Sequence, residues 1–358
     1  MVVAGCGLVV ELHHLPAFAR LTDDVDVVGL VDPSEARRET CRSLAPGAAT
    51  FAELGDALAA FSPDLVVVAS PASLHRTQTL ASLAAGAHVL CEKPLAVSSA
   101  ECAEMIDAAD AAGKLLGVGL MRRFFPSVQA IGSLLRNGVL GAPVSFTVLE
   151  GSSFNWPVRS AHPFERGSGG GMLLDVGPHL MDLLQLWFGE LEIVDYADDA
   201  MGGVEANCVI QMTNAAGVLG TVRMSREVLL PNRHVIHCER GWVAYHCDVA
   251  DRFYWGWHDS PTSNCVMLGT PASDRPFWDY PDPRHAVSAS LAATFVAQHR
   301  NMVEAIRGET PLVVTARQAA AGVGLIERCR ASRRLMPMPW MDSEELARAA
   351  QLEQEAAS

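Results

Sequence analysis

The chain has 358 residues, too long for one ordinary domain and comfortable for two. Hydrophobic residues make up 49% and charged residues 19%, which supplies a sizeable core and excludes a largely disordered chain. The formal net charge is -14 and the acids are scattered, so no basic face is offered to a polyanion, which argues against nucleic acid as a partner. Nine cysteines without a Cys-x-x-Cys spacing, embedded in apolar runs, point to reduced core thiols and a cytoplasmic protein. The N-terminus has no basic stretch ahead of its apolar run, unlike a signal peptide. No uncharged apolar run reaches the ~18 residues of a membrane helix, so no membrane is expected as a partner.

Taken in chain order, Val2–Ala4 is a short strand ending in Gly5-Cys6-Gly7, and a helix is expected from Val9 to Leu21. Val25–Asp32 reads as a buried strand, 34–44 as a helix, Asp64–Ser70 as a strand and 74–85 as a helix. His88–Glu92, 98–112 and Leu115–Leu120 follow as strand, helix and strand. Continuous apolar strands alternating with helices predict a parallel sheet covered on both faces. After about residue 125 the rhythm changes. A helix over 126–137 precedes strands at 143–150, 192–196, 205–212, 218–225, 234–238 and 242–247 with short turns, which predicts a largely antiparallel sheet. Five prolines between 259 and 286 predict a long loop, and 291–307 and 316–330 predict closing helices. The expected organisation is a Rossmann dinucleotide-binding domain over 1–124 and a substrate-binding and oligomerisation domain over 125–358, whose C-terminal helices are free to pack back on the first domain. The fold class is α/β combined with α+β, the second part carrying a large, mostly antiparallel open sheet.

Gly5-Cys6-Gly7 follows a strand and opens a helix, where glycines allow a tight turn and bring backbone close to a pyrophosphate. Leu8 and Val9 complete the loop. The third small position of the fingerprint is taken by Val10, which is expected to push the helix slightly off the sheet. Asp32 closes the second strand, 22 residues after Val10, where an acid accepts ribose hydroxyls. A 2′-phosphate would be repelled there and Pro33 offers no donor, so NAD is favoured over NADP. Arg37 and Arg38 are read as solvated positions on a surface helix.

Glu92-Lys93-Pro94 ends a strand, so Lys93 projects from the carboxyl edge, where ligands bind in open α/β sheets. A second cluster runs from Gly169 to Asp182. Asp175 is expected to cap the helix that follows, Pro178 is tolerated in its first turn, and Asp175, His179 and Asp182 fall on one helical stripe. Taken singly, Asp175 is an N-cap, His179 a core histidine and Lys93 a surface amine; together they can meet at one cofactor edge.

These residues resemble the Gfo/Idh/MocA oxidoreductases, the family of glucose–fructose oxidoreductase and inositol dehydrogenase. The resemblance is carried by GCGLVVELHHLPAF at 5–18, SPASLH at 70–75, AGAHVLCEKPLA at 85–96, MRRFFP at 121–126, GGGMLLDVGPHLMDLLQLWFG at 169–189 and LIERCRAS at 325–332. It implies Lys93, Asp175 and His179 as the catalytic set, with Ser70, Pro71, His75 and Glu92 lining the cofactor cleft. Arg122 and Arg123 match a segment near nicotinamide or substrate. The family also implies a homodimer or homotetramer built through the C-terminal sheet.

The chemistry expected is hydride transfer between nicotinamide and a secondary alcohol or ketone of a sugar, nucleotide sugar or cyclic polyol. His179 is the best acid/base, since its ordinary pKa lies near ~6.5, and Lys93 can stabilise the oxyanion. Phe154, Asn155, Trp156, Arg159 and His162 precede the catalytic helix and either offer aromatic faces and donors to such a substrate, with Trp156 as the expected contact, or form an ordinary loop packed on the sheet. Two rivals share the fold: a glycosidase that uses bound NAD for transient redox, and a non-catalytic dinucleotide sensor. His234, His237, Cys238, His246 and Cys247 crowd two strands, but strand alternation sets neighbours on opposite faces, so no metal site is expected.

Overall fold

The computed structural model describes residues 1–154, 161–268 and 283–357. It divides into two units, residues 1–125 with 270–323 and residues 126–269 with 324–358.

The first unit is built on a six-stranded, all-parallel sheet: β1 (Val2–Ala4), β2 (Gly29–Val31), β3 (Ala49–Phe51), β4 (Leu65–Val68), β5 (His88–Cys91) and β6 (Leu116–Val118), in the order β3-β2-β1-β4-β5-β6. The strands other than β3 are mainly apolar because both faces are covered. Val2, Ala4, Val66, Val68 and Val89 enter one core, while Val3, Leu30, Val67 and Leu90 enter the other. That alternation along each strand is the period of two of extended chain. Residues 283–306 form a helix whose Met302 joins the second of these cores, and Val314, Ala316, Ala319 and Val323 join the first.

One strand of this sheet carries no apolar signal. Strand β3 sits at the edge with Ala49 and Thr50 exposed, and the helix Leu54–Phe61 follows it. The helix expected at 9–21 is shorter and irregular: a π turn over Val10–His14 runs into an α turn over Leu15–Phe18. Val10 is fully buried against the sheet. A π turn is wider than an α turn, and it falls where the chain carries a bulky residue in place of the fingerprint's small one.

The second unit holds a nine-stranded mixed sheet: β7 (Pro143–Gly151), β8 (Glu192–Asp198), β9 (Asn207–Thr213), β10 (Leu219–Ser225), β11 (Arg233–Cys238), β12 (Gly241–His246), β13 (Arg252–Trp257), β14 (Asn264–Met267) and β15 (Arg333–Leu335). Their order is β14-β13-β12-β11-β7-β10-β9-β8-β15. All pairs are antiparallel except β7 with β10 and β8 with β15. Helices Pro126–Arg136 and Gly177–Phe188 belong to this unit. One sheet face is buried through Phe146, Val148, Cys208, Ile210, Met212, Val222 and Met224. The other presents Thr147, Gln211, Leu219, Thr221 and Arg223 to solvent.

Part of the stretch expected as a proline-rich loop is strand β14, and the helix expected from 291 begins at Pro283, where a proline is well placed because a first-turn N–H has no partner to lose. Residues 269–282 lie outside the described residues. All nine cysteines are free thiols, eight buried and Cys265 exposed. Among the described residues no helix is long and apolar enough to cross a membrane.

Gly220 on β10 faces the ring of Phe146, which stacks on Phe188 with centroids 4.7 Å apart. A methyl group at 220 would fall onto that buried ring. Gly220→Ala is therefore expected to destabilise the chain by about 1–3 kcal/mol, the usual cost of overpacking. A calorimetric midpoint equal to that of the parent would contradict this.

Candidate active site

In the first unit, the expected cofactor residues gather at the carboxyl ends of the parallel strands. Gly5 leaves β1 with φ +98, and a Cβ there would fall 2.5 Å from the carbonyl oxygen of Ala69, so only glycine permits the approach to the Ala69–Ser70 chain that leaves β4. Gly7 has open space where its side chain would be. Asp32 leaves β2, and its two carboxylate oxygens accept the N–H of Cys6 at 2.9 Å and of Ser34 at 2.8 Å. The acid expected to face ribose thus also fixes the shape of the glycine loop. A carboxylate has about four lone-pair sites, so it retains capacity for hydroxyls.

Arg37 and Arg38 are not solvated. Arg37 donates from Nε to the Cys6 carbonyl at 2.8 Å and from Nη2 to Glu11 at 2.7 Å. Arg38 donates to the carbonyls of Asp32 at 2.6 Å and Pro33 at 3.2 Å. Arg37 thus braces the glycine loop and Arg38 the chain leaving β2, because a helix starting at Glu35, capped by Ser34, turns them back toward the edge.

Ser70 donates to Gln78 at 2.7 Å. Pro71 opens the short turn that leads into the helix His75–Ala84. His75 is buried, its ring nitrogens 2.9 Å from the Ser70 carbonyl and 2.8 Å from the Pro94 carbonyl. It braces two backbone segments of the edge. Burial pushes its pKa down, against the pull of those carbonyls. Glu92 and Lys93 leave β5, and the Lys93–Pro94 peptide is cis. Glu92 is buried; burial pushes its carboxyl up, but the hydrogen bond from His14 and the charge and N–H of Lys93 outweigh this and hold it below the ordinary carboxylate value. Arg122 and Arg123, both buried, sit in a 3-10 turn over Met121–Phe124 just past β6. The open space at Gly7, the Asp32 carboxylate and the edge of the parallel sheet suit a dinucleotide.

In the second unit, the segment expected to be catalytic is broken in two. A turn over Met172–Asp175 precedes the helix Gly177–Phe188, because Pro178 has no N–H to continue the ladder. Asp175 therefore ends one element while His179 and Asp182 lie on the next, and Asp175 is not an N-cap. The first turn is capped instead by Glu205, whose backbone and side chain accept the N–H groups of Met172 at 3.0 Å and Leu173 at 2.8 Å. Gly171, at φ +101, is required because a Cβ would fall onto the Glu205 carboxylate. Burial raises the pKa of that carboxyl.

With its capping role gone, Asp175 accepts a hydrogen bond from Nη2 of Arg226 at 2.5 Å. The Arg226 side chain is 10% exposed and that of Asp175 46%, so the arginine is a buried anchor and the carboxylate reaches toward solvent. Arg226 also donates to the Pro163 carbonyl at 3.3 Å, and its guanidinium lies 5.3 Å from the centre of the Phe154 ring. Neither Arg226 nor Glu205 was signalled by sequence spacing; Arg226 becomes a partner only because it directly follows β10. His179 is half-buried and Asp182 buried. Asn155, Trp156 and Arg159 lie outside the described residues.

Of the histidine–cysteine crowd, His234 sits 2.6 Å from Glu150 and stacks near Tyr245, and His237 stacks at 6.1 Å on His258. The alternation argument fails at Cys247, because β12 ends at His246. His246, Cys247 and Asp248 bring one ligand atom each within 4.8 Å of one another. The Asp248 N–H points at Nδ1 of His246 at 3.3 Å, and among the described residues no fourth histidine, cysteine or carboxylate joins the group.

A family model described as "Oxidoreductase family, NAD-binding Rossmann fold" matches residues 1–120, and one described as "GFO/IDH/MocA C-terminal domain" matches residues 128–244. The chain is 30% identical over 180 residues to a D-glucoside 3-dehydrogenase of Escherichia coli, covering 50% of this chain and 51% of that one. The chain thus spans about half the length of this curated relative. A 3-ketoreductase from Actinomadura kijaniata, solved with NADP and TDP-benzene, superposes with TM-score 0.76 at 20% identity, over 94% of this chain and 98% of that one. A dehydrogenase from Bordetella pertussis, solved with NADH and UDP-GlcNAcA, gives TM-score 0.76 at 22% identity, over 92% and 94%. At such identities the structural likeness speaks for the fold. With residues 1–120 and 128–244 matched to the two domains of a single family, this protein belongs to the Gfo/Idh/MocA oxidoreductase family, with an NAD(P)-binding Rossmann domain at its N-terminus.

Proposed function

We propose that the chain interconverts a secondary alcohol and a ketone on a sugar, nucleotide sugar or cyclic polyol, using a nicotinamide dinucleotide. The observation that carries this reading is the carboxyl edge of the parallel sheet, where the Gly5–Val9 loop, Asp32 and Lys93 stand together in a chain of an oxidoreductase family. The backbone of Gly5, Cys6, Gly7, Leu8 and Val9 holds pyrophosphate and Asp32 accepts ribose hydroxyls. Ser70, Pro71, His75, Glu92 and Lys93 shape the remainder of the cleft. Bound there, nicotinamide supplies the acceptor or donor of the hydride.

His179 takes the hydroxyl proton of an alcohol substrate, a task suited to a group with an ordinary pKa near ~6.5. Lys93 donates to the same oxygen and stabilises charge that develops on it. Asp175, anchored by Arg226, accepts from a neighbouring hydroxyl and orients the ring. Arg122, Arg123 and Trp156 complete the substrate contacts. In ketone reduction His179 returns the proton. Relatives named D-glucoside 3-dehydrogenase and inositol 2-dehydrogenase support this substrate class.

NAD is the preferred dinucleotide. Asp32 would repel a 2′-phosphate, and the two arginines nearest to it are engaged with backbone carbonyls. The chain assembles as a homodimer or homotetramer through the open face of its second sheet, where Val209, Gln211 and Thr213 alternate with the buried Cys208, Ile210 and Met212.

His179→Ala is expected to lower turnover by ~10²–10⁴-fold, the usual worth of general acid–base catalysis, with cofactor affinity little changed. Lys93→Ala is expected to cost a similar factor. Turnover is measured per folded molecule, with folding followed by calorimetry. A lowered melting midpoint with near-normal turnover would mark His179 as a packing residue and overturn its assignment. Fluorescence titration should show NADH binding more tightly than NADPH; equal or tighter NADPH binding would contradict the role given to Asp32. Light scattering at micromolar concentration should report an oligomer, and a monomer would refute assembly through the open sheet face.

A further inference from the structure

Three titratable side chains that the proposed chemistry does not use are buried together beside the turn that carries Lys93. His14 ends the π turn after the phosphate loop, Glu92 ends β5, and His299 lies on the helix Pro283–Ile306. They are 0%, 8% and 1% exposed. Nε2 of His14 is 3.0 Å from Oε1 of Glu92, and Nδ1 of His14 is 3.0 Å from Nε2 of His299. The other Glu92 oxygen accepts the Lys93 N–H at 3.1 Å. Phe18 and Phe295 pack around the two rings, with centroids 4.1 Å from His299 and 5.1 Å from His14.

The protons in this chain have one economical arrangement. An ionised Glu92 accepts from Nε2–H of a neutral His14, whose bare Nδ1 accepts from Nε2–H of His299. That leaves Nδ1 of His299 as a bare acceptor, and among the described residues that atom has no hydrogen-bond partner. The opposite arrangement would bury an unmatched N–H there, the costlier defect. Burial keeps His299 well below the ordinary imidazole pKa, in agreement with a neutral ring.

Gly119, just past β6, walls the carboxylate: a Cβ at that position would fall 2.6 Å from Oε1 of Glu92. A buried carboxylate is tolerated only when hydrogen-bonded, so this contact is a weak source of net stability. What it supplies is direction, since a charge-assisted hydrogen bond fixes both partners' geometry. A single π turn is a device often found at functional sites. Here it sends consecutive histidines to different neighbours, His13 stacking on Phe295 at 4.9 Å and His14 reaching Glu92.

We infer that His14 and Glu92 are positioning residues, and that the His299–His14–Glu92 chain ties the turn bearing Lys93 to the helical segment that follows the phosphate loop. Occupation of the loop by a dinucleotide and placement of the Lys93 amine are thereby coupled. This rests on the proposed role of Lys93 beside the nicotinamide.

The test acylates Lys93 with acetic anhydride, with and without saturating NADH, and reads its modification by mass spectrometry. Glu92→Gln keeps the side chain's shape and removes its charge, and His14→Phe keeps a ring and removes both hydrogen bonds. NADH should protect Lys93 in the parent. In both variants protection should fall by about tenfold, turnover should fall by ~10²-fold with little change in KM, and NADH affinity should stay within about threefold, the pattern of a misplaced group. Protection and turnover equal to the parent's would overturn the inference alone. Absence of protection in the parent would instead remove Lys93 from the nicotinamide and bring down the functional reading with it. Failure of both variants to fold would assign the chain a purely structural role and also overturn the inference.

Discussion

The first unit depends on one close approach, that of Gly5 to the Ala69–Ser70 backbone. The chain leaving β1 must turn sharply at the edge, beside the chain leaving β4, and any side chain at residue 5 would collide with a carbonyl. Strand order reverses between these two strands, since β2 lies on one side of β1 and β4 on the other. A crevice opens at such a point in open α/β sheets. The Asp32 carboxylate then fixes the loop through the Cys6 N–H, and Arg37 fixes it through the Cys6 carbonyl. Both backbone polar groups of Cys6 are thus held from β2 and the helix after it. Protein contacts alone hold the loop in this shape, and a loop so held has a lower ordering cost on binding.

The second unit solves a different problem, that of holding a carboxylate at a helix break. Pro178 interrupts the ladder, so Asp175 ends one turn without capping the helix after it, while Glu205 caps the start of the turn that Asp175 ends. Arg226 takes one Asp175 oxygen, and is itself held by the Pro163 carbonyl and the Phe154 ring. An arginine is suited to this because its planar fork reaches several acceptors at once without losing its charge.

The sheets were legible in the sequence where burial is complete. Asp64–Ser70 and His88–Glu92 are runs of apolar residues, and the strands over 205–225 alternate cleanly between the core and the open face. Edge strands were not legible. Ala49–Phe51 and Arg333–Leu335 are three residues each and bury little, so no apolar period marks them. The glycine loop, Asp32, Lys93 and the Asp175–His179 segment announced themselves by short-range spacing. Their supports did not, because Arg226 meets Asp175 across 51 residues and His299 meets His14 across 285. Such partners are set by strand register and helix docking, which local pattern does not encode. The doublet His13-His14 was visible, but only the π turn reveals that the second histidine faces the Glu92 carboxylate.

Net reduction of NAD is the direct test of an oxidoreductase at this edge. The purified chain, incubated with NAD and a panel of sugars, nucleotide sugars and inositols, should generate NADH fluorescence with at least one of them, in proportion to ketone formed. Cleavage of a glycoside with no net NADH would contradict it and point to transient redox. Tight NAD binding with neither product nor NADH across the panel would contradict it in the other direction, as the behaviour of a sensor.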